Sequence, residues 1–339
     1  MIRIIGAFSL LMVSIAVLVL SGIVIASFMP GAHWALDFMS QFLLPATTGL
    51  LALFVILLVA TLIIPATNRG RGFLAALALI FMVLGFLSIR TTPNMMLSPA
   101  TRKTFTVFQQ NIWMKNPTPV AVVEEIRRTD PDIAALIELP IDRAGLGFDT
   151  LSDVWPYVVK DAPGRGRKAR IRLISKFPVS NPSIYQTKSE LDLLQADVET
   201  PDGPLRVIVV HFTRPWPYDD PTAQMRQVEE LEAVVNAHDG PTLVMGDFNA
   251  APWGRIVKDL RARTGLTLAN NPMIATWPAR VPRRGKADTM TWPKALGIPI
   301  DLAFTKGGID LVSHTPIGAN GSDHRAIVID MTLTRPTSE

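Results

Sequence analysis

The chain has 339 residues, 48% of them hydrophobic and only 18% charged, with no cysteine, which excludes a disulfide framework, a thiol nucleophile and a thiolate zinc site. Residues 1–100 hold four basic residues (Arg3, Arg69, Arg71, Arg90) and one acid, Asp37, of the 33 and 29 in the chain, so residues 101–339 carry a formal charge of only +1. That balance excludes the broad basic face of a strong nucleic-acid binder.

Three apolar runs open the chain, at about 4–29, 42–64 and 73–89. A membrane-spanning helix needs about 20 apolar residues, within a range of about 17–25. The first two runs meet this length and the third sits at its short end. The first run is longer than a signal-peptide core and no small-x-small cleavage site follows it. Arg3 precedes run one and Arg69 and Arg71 lie between runs two and three, whereas the first loop, "PGAHWALDFMSQ", has no Lys or Arg. By the excess of basic residues on cytoplasmic loops, the chain leaves the third span on the extracytoplasmic side. Arg90, Arg102 and Lys103 oppose this weakly. Residues 1–90 thus read as a membrane anchor in a cell (inner) membrane, 91–104 as a Pro-containing tether, and 105–339 as a separate domain.

That domain alternates strands and helices. "FTVFQQNI", "DIAALIEL", "RIRLIS", "LDLLQADVET", "LRVIVVHF", "TLVMG", "IDLAFT" and "RAIVIDM" read as strands, and "TPVAVVEEIRRTD" as a short amphipathic helix. "DDPTAQMRQVEELEAVVNAH" is the clearest helix, with Asp220 as its cap, Pro221 in its first turn, and Met225, Val228, Leu231 and Val235 on one face. The alternation predicts a layered α/β fold with site residues at strand ends and on loops.

Several polar residues interrupt or end apolar strands: Asn111, Glu138, His211, Asp247 and Asn249 in "LVMGDFNAAPW", Asp301, and Asp323 with His324 in "SDH". Any one of them alone could be a turn residue or a satisfied core group. Together they are residue types that bind metals or move protons.

This order of residues resembles the endonuclease/exonuclease/phosphatase superfamily, from about Phe105 to Met331. "DIAALIE" resembles its metal-site motif, "LISKFPV" a central strand motif, and "GDFN" and "SDH" its two catalytic motifs. The resemblance implies a DNase I-like sandwich of two packed β-sheets with outer helices, and phosphoester hydrolysis with Mg²⁺ or Mn²⁺. It implies Glu138, Asn111 and Asp323 at the metal, Asp247 preparing the attacking water and Asn249 holding a phosphate oxygen. His324 is expected on the phosphate, with Asp301 behind the imidazole, and His211 facing the phosphate as donor or acid. One departure is Leu302, where the family often has histidine.

The expected partners are membrane lipids and a phosphorylated substrate, lipid-linked or nucleic acid. The leading reading is a membrane-anchored phosphohydrolase; a tethered nuclease and a catalytically silent binding module are the alternatives. The basic loop Pro163–Arg172 reads as solvated, or as a contact for an anionic headgroup. Trp216 and Trp253 are placed to line the pocket mouth or to reach the membrane interface.

Overall fold

The computed structural model describes residues 2–63, 69–98, 105–139, 147–160, 170–282 and 289–334. Three helices, α1 (Ile2–Ser27), α3 (Leu43–Ile63) and α4 (Arg69–Arg90), are long and apolar enough to cross a membrane. The third begins earlier than its apolar run, at Arg69, because "RGRG" continues the helix. Val17, Val24, Leu43, Leu50 and Ala78 pack between the helices, while Leu18, Ile56, Leu62 and Phe73 face outward, as lipid-exposed side chains do. The hydroxyls of Thr47, Thr48 and Thr61 donate to carbonyls four residues back, so no polar group on α3 needs water. Between α1 and α3, the expected loop contains a short helix, α2 (Trp34–Ser40), whose first N–H groups are capped by His33 Nδ1.

Two six-stranded sheets form the domain that follows the helices. The first runs in the order β13 (Ile309–Pro316), β14 (Ile327–Leu333), β1 (Phe105–Asn111), β2 (Ile133–Ile137), β4 (Arg172–Ser175) and β3 (Tyr157–Lys160). The second runs β5 (Val179–Gln186), β6 (Asp192–Thr200), β7 (Gly203–His211), β8 (Thr242–Asp247), β12 (Asp301–Lys306) and β9 (Thr267–Leu268). A small ribbon of β10 (Arg280–Pro282) and β11 (Thr289–Thr291) stands apart. Alternate residues of the central strands, among them Val107, Ile133, Leu194, Val207 and Met245, meet between the sheets. Their other faces are covered by α5 (Val120–Thr129) on one side, and by α6 (Ala223–Asn236) and α7 (Arg255–Thr264) on the other. This is the expected α/β sandwich of two packed, mixed sheets.

Two details differ from the sequence reading. Helix α6 starts at Ala223 after Thr222, and Asp220 instead caps the turn before it, accepting from Thr222 N at 2.8 Å. The described part of the expected tether is bound across the sandwich. Met95 N donates to Leu268 O at 2.7 Å and Ser98 N to Leu311 O at 2.6 Å, one bond to each sheet.

Candidate active site

The central strands of both sheets finish at one pole. Parallel β1 and β2 put Asn111 opposite Ile137, so Glu138 emerges just past the end of β2. In the other sheet, parallel β7 and β8 pair His211 with Asp247, and antiparallel β12 brings Asp301 beside Asp247. The turn before β14 delivers Asp323 and His324. All eight residues expected from the sequence gather here.

Gly246 lies within β8, so it makes a close approach rather than the turn. A Cβ there would sit 1.9 Å from Val210 O of β7, and its φ is +156°. The turn itself is made by Asn249, whose φ of 47° is matched by Glu138 at 57°. Such left-handed backbone costs energy for non-glycine residues and persists where the surroundings dictate it.

Asn111 Nδ2 donates to Asp247 Oδ2 at 2.9 Å and to Glu138 Oε1 at 3.2 Å. Because Trp113 N donates to Asn111 Oδ1 at 2.9 Å, the amide oxygen faces the backbone. Asn111 thus links the Glu138 and Asp247 carboxylates through its amide N–H groups. His211 Nε2 lies 3.5 Å from Glu138 Oε1 and 3.9 Å from Asp247 Oδ2. His324 Nδ1 is 2.8 Å from Asp301 Oδ2, and its Nε2 is 3.8 Å from Asp247 Oδ2 and 4.0 Å from Asp323 Oδ1. Asn249 N donates to Asp247 Oδ1 at 2.8 Å, and Asn249 Nδ2 spends one N–H on Phe212 O at 2.9 Å. Its second N–H is left for another acceptor.

Burial and charge set the protonation of these groups. Burial lifts the Asp247 carboxyl to about 6, against the pull of His324 and His211. Burial opposes charge on His324, but the Asp301 and Asp247 carboxylates outweigh it and raise the imidazole to about 10. Burial also pushes Asp323 up, with His324 and Trp277 resisting. Burial pushes Glu138 up too, yet His211, His324 and Asn111 hold it below the usual carboxylate range. A fixed imidazolium thus faces a carboxylate that can take a proton near neutral pH.

The donor set suits a divalent cation. One ligand atom each from Glu138, His211 and Asp247 lie within 4.8 Å of one another, as do those of Asp247, Asp301 and His324. The buried Oδ1 atoms of Asp301 and Asp323 have no hydrogen-bond partner among the described residues. Buried carboxylate oxygens at a cluster of oxygen ligands are what Mg²⁺ or Mn²⁺ accepts.

The family model described as "Endonuclease/Exonuclease/phosphatase family" matches residues 108–324, more than half of the chain. The chain belongs to this family. It is a family of phosphoester hydrolases, typically dependent on divalent metals. Three solved structures share the fold. An endonuclease/exonuclease/phosphatase from Beutenbergia cavernae is 19% identical, covering 68% of this chain and 72% of that one, with a TM-score of 0.50. The human Nocturnin catalytic domain with bound sulfate anion is 17% identical over 68% and 94%, with a TM-score of 0.52. D. rerio TDP2 complexed with single strand DNA product is 13% identical over 67% and 98%, with a TM-score of 0.53. No curated protein sequence matches the chain.

Within this family member, several supporting residues carry no local signal. Asp192 of β6 stands 3.9 Å behind His211 Nδ1, Trp277 Nε1 donates to Asp323 Oδ2 at 3.3 Å, and Gln110 Nε2 holds the carbonyls of Ala319 and His324. Leu302 is buried in the apolar layer shared with α6 and α7, pointing away from the site. In the basic loop, Arg165, Arg167 and Lys168 lie outside the described residues. Arg172 is buried against the Phe148 ring, 3.8 Å from Asp149, which corrects the solvated reading at that position. Trp253 is also buried, packed with Val24, Leu43 and Leu44 of the apolar helices.

Proposed function

We propose that this protein is a membrane-anchored, metal-dependent phosphohydrolase that cleaves a phosphoester or pyrophosphate bond of a lipid-linked substrate outside the cytoplasm. The observation that carries the chemistry is the facing pair of Asp247, with its carboxyl near 6, and His324, held cationic by Asp301. Asp247 takes the proton of the attacking water. His324 Nε2 donates to a phosphate oxygen and stabilises the charge that grows on it. His211 covers the opposite side, where it can protonate a leaving oxygen, and Asn249 offers its second N–H to the phosphate. Glu138 would hold the cation, with Asp247 and Asp323 flanking it and Asn111 fixing Glu138. A bound divalent cation supplies neutralisation of phosphate charge and orientation of water.

The membrane-side reading rests on topology. Helix α2, between the first two apolar helices, contacts the domain that follows the third, which supports a reading with both on one side of a bilayer crossed three times. Arg69 and Arg71, between the second and third apolar helices, support a cytoplasmic placement of the other side. A site tied so closely to the bilayer favours a lipid-borne phosphate, and the near-neutral domain disfavours a nucleic-acid backbone.

The test is hydrolysis by the purified full chain in nanodiscs, offered phospholipids, polyprenyl pyrophosphate and single-stranded DNA. Chelation should abolish turnover, Mg²⁺ or Mn²⁺ should restore it, and a lipid substrate should be preferred. Full turnover in excess chelator, or preference for DNA, would overturn the reading. A reporter fused after Glu339 should read extracytoplasmic; a cytoplasmic signal would remove the lipid-side argument.

A further inference from the structure

Helix α7 begins without a cap of its own. Its N-cap residue is Gly254, which has no side chain to accept from the first free N–H groups. The acceptor comes from the far end of the sequence: Arg255 N donates to Asp37 Oδ1 at 2.8 Å. Asp37 is the only acid in the first hundred residues. A carboxylate is the group that a helix N-terminus favours.

The contact extends along the whole segment after the "GDFN" turn. Ala251 N donates to Gln41 Oε1 at 2.5 Å, and Trp253 Nε1 donates to Ser40 O at 2.6 Å. Gln41 Nε2 and Ser40 Oγ in turn donate to Asp37 O, which locks the clamp on its own side. Ala251 and Trp253 share an apolar cluster with Val24, Leu43 and Leu44 of the spanning helices. Gly254 leaves room for this approach, since a Cβ there would lie 2.9 Å from Gln41 Nε2 and 3.1 Å from Ala251 O. A second contact reaches the loop after His211, where the Trp34 and Trp216 rings meet at a 53° tilt with their centroids 3.9 Å apart. The two loops that carry Asn249 and follow His211 are therefore both held by the segment between the first two spans.

We infer that this segment is a positioning element of the active site: Asp37 and Gln41, from the membrane anchor, hold the loop Ala250–Arg255 and through it set the placement of Asp247 and Asn249. Positioning residues act through the loop and touch no substrate. The inference rests on Asp247 and Asn249 being the catalytic groups, as proposed above. The mechanism is mechanical. Asp247, Phe248 and Asn249 continue without a break into Ala250 and Ala251, so slack at Ala251 N passes to the turn at Asn249. Misplacement of a reacting group by about 1 Å can cost up to about 10² in rate.

The test uses the full chain in nanodiscs, with hydrogen exchange and turnover of a chromogenic aryl phosphodiester in Mg²⁺. Asp37→Ala and Gln41→Ala should each speed amide exchange in residues 248–255 and leave α6, residues 223–236, protected. They should lower kcat about tenfold with little change in KM, the pattern of lost transition-state placement. Asp37→Asn keeps an acceptor oxygen for Arg255 N and should restore both readouts, which separates positioning from general damage. Unchanged exchange at 248–255 in both alanine variants would overturn the inference whatever the activity. So would slow turnover in Asp37→Ala that Asp37→Asn fails to rescue. An Asp247→Asn variant that remains fully active would instead sink the catalytic assignment, so the two failures are distinguishable.

Discussion

The segment from Asp247 to Arg255 has two halves, held by different parts of the molecule. The first half is fixed from within the domain: Gln224 Nε2 donates to Phe248 O and Asn249 O, each at 3.3 Å, and Asn249 reaches back to Phe212 O. The second half is fixed from the anchor, by Asp37, Ser40 and Gln41. The residues proposed to react lie only in the first half, where polar side chains at the strand end also make the hydrogen bonds. The second half is "AAPWGR", small or apolar up to Arg255 and without a cap of its own, so its order is borrowed. A motif can thus be local while the structure that steadies it is split across the chain.

The sharpest way to break this comparison is to remove the chemistry and leave the loop alone. His324→Ala should cut turnover by about 10²–10⁴, the range for a positioned electrostatic or acid–base group. The double variant with Asp247→Asn should lose far less than the product of the single losses, since both act on one transition state. Stopped-flow turnover on the variants checks this, and multiplicative losses would mean that the two residues do not share a step.

A smaller effect is expected from the support of the first half. Gln224→Ala removes the contacts to Phe248 O and Asn249 O and a shorter one to Thr213 O at 2.8 Å, and should lower kcat about tenfold, with exchange rising at Phe248 and Asn249. Because the anchor contacts to Ala251, Trp253 and Arg255 remain, the peptide around Trp253 should stay protected in that variant.

The pH profile sharpens the same picture. Asp247 must be ionised to take a proton, so kcat/KM should rise as pH climbs through about 6. His324 should keep its proton until about 10, giving a plateau between the two limbs. Asp301→Asn removes a carboxylate that raises both groups, so each limb should move to lower pH. An alkaline limb that stays in place would dissociate Asp301 from His324.

The smallest expected effect lies far from the loop, at His314 on β13. Burial depresses this imidazole from 6.5 to about 4. Between those values the unfolded chain binds a proton that the folded chain refuses, so stability should fall as pH drops through the window. His314→Gln should flatten that part of the dependence in thermal melts between about pH 7 and about pH 4.

Much of this was legible in the sequence where one face or one period dominates. Strands such as "LRVIVVHF" alternate cleanly, and the apolar runs announce the spans. Strand β5 was missed because "VSNPSIYQ" is mostly polar and exposed, with a register shift between Ser180 and Ser183 and a left-handed Asn181. Helix α7 was missed for the reason already given: Gly254 offers no start signal, since Asp37 supplies it. The residues that cluster at the site were readable because each interrupts or ends an apolar strand. Asp192, Gln224 and Trp277 were not, because they act through contacts that exist only after the sheets and loops assemble. Asn111 shows the remaining limit. Its position was readable, but which amide atom faces the carboxylates depends on Trp113 N.

The most direct measurement of the central claim is single-turnover hydrolysis by the wild-type full chain and by Asp247→Asn in saturating Mg²⁺, with thermal melts of both. The account predicts coincident melts and a rate loss of about 10²–10⁴ in the variant. A near-wild-type rate, or a loss that follows only from unfolding, would contradict it and leave Asp247 as a residue that merely ends a strand.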